Sequence, residues 1–97
     1  MATTRKQDLQ HMAATLEAWG GQIADLQAKA RTAGAEQRLL VSSQIAALRQ
    51  QRRAYAAQMA DTRGTSAAVF RDLQRGAERT AGEFRKLYLQ TASRFAC

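Results

Sequence analysis

Five arginines in the middle of the chain, Arg38, Arg49, Arg52, Arg53 and Arg63, are the first residues whose type and spacing suggest chemistry. At about 100° per residue on a helix they project within roughly 60° of a common direction, beside the apolar stripe and not opposite it. Such a row forms a track for phosphate groups, of nucleic acid or of a lipid headgroup, because cations concentrated along one face attract polyanions. The competing structural role is ordinary: arginine stems cover the edges of a core while their guanidiniums stay solvated or pair with acids on a neighbouring helix. A second basic row, Arg71, Arg75, Arg79 and Lys86, is blunted by local partners, with Asp72 and Arg75, Arg79 and Glu83, and Glu83 and Lys86 at pairing distances along a helix. No aromatic residue is interleaved in either row to stack bases.

Trp19-Gly20-Gly21 is the next candidate. Two adjacent glycines in a helix cost about 2 kcal/mol relative to alanines, so something should offset them. Close approach of another helix beside the tryptophan is the natural compensation, which makes this a docking spot for a second subunit, with a kink as the alternative. Asp8 and His11 have the i,i+3 spacing of helix-borne metal ligands, but a metal site in a helical protein needs several more converging ligands than one such pair. The single cysteine, Cys97, is the last residue and offers neither an internal disulfide nor a thiol cluster. There is no glycine-rich phosphate loop and no nucleophile set beside a base, so we expect a protein that is not an enzyme and has no cofactor.

The elements that carry these residues are helices. The 97-residue chain has no proline and six glycines, and of its 45% hydrophobic residues 21 are alanines. That composition lies near the helical and coiled-coil extreme and leaves little filling for a globule, excluding all-β and α/β folds. Fifteen Lys and Arg against eight Asp and Glu give a net charge of +7. The excess is uneven: residues 1–36 carry four cations and four anions, residues 37–64 five against one, and residues 65–97 six against three. The N-terminus lacks the apolar core of a signal peptide, and no stretch approaches the roughly 18 apolar residues of a membrane span, so a cytoplasmic location is expected.

Leu9, Met12, Leu16, Trp19, Ile23, Leu26, Ala30 and Ala33 alternate at spacings of three and four, the seam of a coiled coil. Steps of four through Gln37 and Val41 to Ile45 then look like a stutter, in which the helix continues while its stripe rotates. Around Gly64 the stop signals converge, with a C-terminal glycine followed by Thr65 and Ser66 as capping hydroxyls. Around Gly34 the glycine is the sole breaker. The sequence therefore predicts an all-α protein, a long antiparallel helical hairpin or coiled coil with one helix over about residues 4–62, a turn near 63–65 and a return helix over about 66–95. The alternative breaks at Gly34 into a three-helix bundle. On the return helix Phe70, Leu73, Ala77, Ala81, Phe84, Leu87, Tyr88 and Phe95 share a face that folds against the stripe from Val41 to Met59.

Several segments carry a likeness: Leu16-Glu17-Ala18-Trp19, the run from Ile23 to Ala30, Ile45-Ala46-Ala47-Leu48-Arg49, the Gly64 turn, and the return helix from Phe70-Arg71-Asp72-Leu73 through Phe84 and Leu87 to Ala92-Ser93-Arg94-Phe95. In these the chain resembles small bacterial coiled-coil domain-containing proteins of unknown function. The resemblance implies a helical coiled-coil protein and transfers no catalytic residue. The chain departs from the usual pattern by being rich in arginine and by placing Gly20-Gly21 directly after the tryptophan.

In the hairpin the return helix is too short to reach the N-terminal seam. Leu9, Met12, Leu16, Trp19, Gly20, Ile23 and Leu26 are then an interface, and the expected function is that of a structural or interaction protein, a homodimer or a subunit of a larger assembly. The alternative function is electrostatic binding of nucleic acid or an anionic membrane through Arg38, Arg49, Arg52, Arg53 and Arg63.

Overall fold

A computed structural model describes residues 5–95; Cys97 lies outside the described residues. The element order is α1 (Arg5–Thr32), α2 (Ala35–Asp61) and α3 (Ala67–Ser93), and the described residues contain no strand. The molecule measures 50 × 20 × 16 Å, as three roughly equal helices laid side by side require.

The Gly64 turn forms where the sequence places it. Gly64 adopts φ 70°, the left-handed conformation that spares glycine the Cβ clash. Thr62 and Thr65 donate their hydroxyls to Met59 O and Thr62 O, and the Ser66 hydroxyl caps α3 by accepting from the Val69 amide at 3.3 Å.

The expected helix over 4–62 is corrected by the structure. It ends at Thr32, and α2 begins at Ala35 with Gly34 as its extended N-cap, ψ 159°. Three hydrogen bonds span the break: Ala33 N donates to Ala30 O, Arg38 N donates to Gly34 O at 2.9 Å, and the Arg38 guanidinium reaches back to Ala33 O at 3.3 Å. Its physical reason is burial. Turning at Gly34 lays α1 along α2, so that Met12, Trp19, Ile23, Leu26 and Ala30 are buried within their own chain. Each large side chain among them contributes about 1.5 to 3 kcal/mol, whereas the interrupted helical hydrogen bonds are worth about 1 kcal/mol apiece. The expected unpartnered seam is thereby corrected too: its residues join one core with Val41, Ile45, Leu48, Tyr55, Ala77 and Phe84.

The core centres on aromatic rings from all three helices. Trp19 stacks on Phe84 with centroids 4.0 Å apart and planes 6° from parallel, and meets the Tyr55 ring edge-on at 4.8 Å. The aromatic face of α3 packs against α2, as its periodicity predicts, and Phe84 also reaches the α1 tryptophan. Three buried threonines interrupt the apolar interior without loss, since Thr62, Thr80 and Thr91 each donate to a carbonyl one turn earlier in the chain. At the far end Arg5 lies 4.5 Å over the Phe70 ring and donates to Thr65 O and Ser66 O, fastening the start of α1 to the α2–α3 turn.

Candidate functional site

Two adjoining hollows, of about 300 and 280 Å³, run between α1 and α2 with no α3 residue in their walls. They share Arg49 and form one groove. From the α2 side it is lined by Arg38, Ser42, Ile45, Arg49, Arg52 and Arg53, and from the α1 side by Gly20, Ile23, Gln27, Ala30 and Arg31. Five guanidiniums therefore border one groove, and none of the residues lining it is acidic. From Arg38 to Arg53 the row spans about 22 Å of helix.

Each arginine is held differently. Arg52, half-buried, donates from Nε to Leu16 O at 2.9 Å, and its guanidinium lies over Gly20, 3.5 Å from where a Cβ would stand. Arg38 is tethered to Ala33 O at the α1–α2 turn. Arg31, Arg49 and Arg53 are exposed, and no described residue bonds to their side chains. The ion pairs among the described residues lie elsewhere, Lys29 with Asp25 at 3.1 Å and Arg75 with Asp72 at 3.7 Å. Uncompensated guanidiniums facing solvent along one groove raise the local positive potential above that of a surface of mixed sign.

Four of the five arginines picked out by sequence are thus brought together. Arg63 is not: it sits in the turn after α2 and lines neither hollow. Arg31 joins the row from α1, a neighbour that sequence spacing alone does not reveal. The expected interface residues have a different fate. Met12, Trp19, Ile23 and Leu26 are buried, Leu9 and Leu16 pack partly buried against the same core, and Gly20 lies beside Arg52 of the same chain at a distance where a Cβ would make ordinary contact. A Cβ on Gly21 would meet nothing within 4 Å.

The α3 basic row remains exposed, with Arg75 paired to Asp72 as its spacing suggests, while Glu83 accepts from Gln51 of α2 at 3.3 Å. Its acids alternate with its cations, which blunts its field. His11 stands exposed on the rim of a cleft between α1 and α3, and Asp8 borders a separate hollow near Phe70. Among the described residues no three His, Cys, Asp or Glu side chains gather as metal ligands.

The α1–α3 cleft, about 410 Å³, escapes the sequence reading altogether. Small side chains leave it open: Ala18 on one wall and Ala77 and Ala81 on the other, over a floor of Trp19, Tyr55 and Phe84. Glu78 is the one carboxylate on its rim. Burial pushes the Tyr55 phenol above the ordinary tyrosine value, with a hydrogen bond to the Thr15 side chain opposing that shift and the Glu78 charge adding to it.

Comparison with protein-family models, with curated proteins and with solved structures gives no match.

Proposed function

We propose that this protein is a non-enzymatic interaction protein that holds a phosphate-bearing partner along the arginine-lined groove between α1 and α2. The observation that carries this reading is the convergence of Arg31, Arg38, Arg49, Arg52 and Arg53 on one groove with no acid in its lining. Arg52 serves as the fixed member, its Nε tethered to Leu16 O. Arg31, Arg49 and Arg53 are the exposed donors, each able to present a fork of N–H groups to phosphate oxygens. The N-terminal stripe plays no part in docking under this reading, because its large side chains already fill the protein's own core.

Binding of a short polyphosphate, followed across a salt titration, tests the proposal. Affinity should fall steeply as salt rises. The double variant Arg49→Gln/Arg53→Gln should weaken it about tenfold or more, at about 1 kcal/mol per arginine near an anionic surface. Arg75→Gln/Arg79→Gln, which removes the same charge from α3, should weaken it far less. Equal losses in the two double variants would reduce the effect to net charge and refute the groove.

A further inference from the structure

The outward face of α2 differs from those of its neighbours. Along that face Leu39, Leu40, Ala46, Gln50, Ala54 and Ala57 are exposed and uncharged over about 27 Å of helix, with Ala47 partly buried beside Leu40 and the acids Glu36 and Asp61 at its two ends. The exposed surfaces of α1 and α3 carry Glu17 and Asp25, and Asp72, Glu78 and Glu83; between Glu36 and Asp61, α2 carries no acid at all. A solvent-facing helix surface is ordinarily where charges collect. Leu39 and Leu40, 76% and 52% exposed, stand at one end of the bare face, next to Arg38. Arg49 and Arg53 border the same face along its length, on the side of the groove.

From this juxtaposition we infer that the partner of the arginine groove is an anionic lipid surface, on which α2 lies in the plane with Leu39 and Leu40 entering below the headgroups. The inference rests on the groove reading above and adds the identity of its partner. A phosphate polymer would use the guanidiniums and leave the leucines and the bare alanine face in water. A bilayer takes both: the arginine stems run along apolar surface while their forks stay at phosphate level. Alanine contributes little burial, so attachment depends on the cations and the two leucines together, and either contribution alone gives weak adsorption. No helix of the described residues is long and apolar enough to cross a membrane, and a helix lying in the plane of the surface needs none.

Co-sedimentation of the full chain with phosphatidylcholine vesicles, with and without phosphatidylserine, tests the inference. Binding should require phosphatidylserine and fall with salt. Leu39→Ser/Leu40→Ser, at exposed positions, should keep its helical circular dichroism, lose about tenfold in vesicle partitioning and bind polyphosphate as before. Ala54→Glu, which sets an acid in the middle of the face, should give the same pattern. Polyphosphate binding without vesicle binding, or vesicle binding indifferent to both variants, overturns the lipid inference and leaves the groove standing. Failure to bind either probe overturns the groove and the inference with it. A concentration-dependent dimer that the serine variant abolishes would make a second copy of the chain the occupant of this face, and the inference would be wrong.

Discussion

Trp19→Ala separates an internal core from a subunit interface. The side chain is 8% exposed, stacked 4.0 Å from Phe84 and edge-on to Tyr55 at 4.8 Å, so its truncation removes contacts to both other helices at once. Removing a buried aromatic of this kind costs about 3 to 5 kcal/mol. A domain of this size has about 5 to 15 kcal/mol in total, so the variant keeps little reserve. At about 4 °C or more per kcal/mol for a chain near 100 residues, the thermal midpoint should fall by at least about 12 °C. Circular dichroism melts over a hundredfold range of protein concentration supply the assay. Because the partners of Trp19 lie in the same chain, the midpoint should not move with concentration in either protein. A variant that melts like the wild type would refute the internal core, and a wild-type midpoint that climbs with concentration while the variant's does not would show that the tryptophan's partner is another molecule.

The glycines divide by their surroundings. Gly21→Ala, where a Cβ meets nothing within 4 Å, should raise stability by about 0.5 to 1 kcal/mol in urea denaturation, while Gly64→Ala, at φ 70°, should lower it by about 1 to 2 kcal/mol. Tyr55 should ionise above the ordinary value of 10.0 in an ultraviolet titration. Since the folded state favours its neutral form, the associated stability is complete below pH 10 and is lost as pH rises through the raised folded value; Tyr55→Phe should remove both the late titration and that share of the alkaline loss.

What the sequence makes legible follows from how many local signals agree. At Gly64 a left-handed glycine, two hydroxyl caps and a break in the stripe coincide, and the turn lies where they point. The helical state of the chain and the aromatic face of α3 are legible for the same reason. At Gly34 a single glycine competes with strong helix formers on both sides, and local preference favours continuity. The break is decided by long-range burial, which lets Trp19, Ile23 and Leu26 meet α2 and α3. The run of fours through Ala33, Gln37, Val41 and Ile45 is the phase of one helix being reset in the next, and periodicity alone does not distinguish that from a stutter.

The groove is half legible for a related reason. Arg38, Arg49, Arg52 and Arg53 share a helix, so spacing groups them; Arg31 joins only once the turn brings the end of α1 beside the start of α2. Arg63 falls within the same angular sector on paper, but the helix ends at Asp61 before it can join the row. The anchoring of Arg52 depends on the register of α1 against α2, which sets it beside Leu16 O, and no local pattern encodes that register.

Amide shift mapping of the labelled protein titrated with short polyphosphate locates the bound phosphate on the molecule. The groove predicts perturbations clustered at Gly20, Gln27 and Arg31 on α1 and between Arg38 and Arg53 on α2, with the α3 row from Arg71 to Arg79 nearly silent. Shifts centred on α3, or spread evenly over every cation, would contradict it.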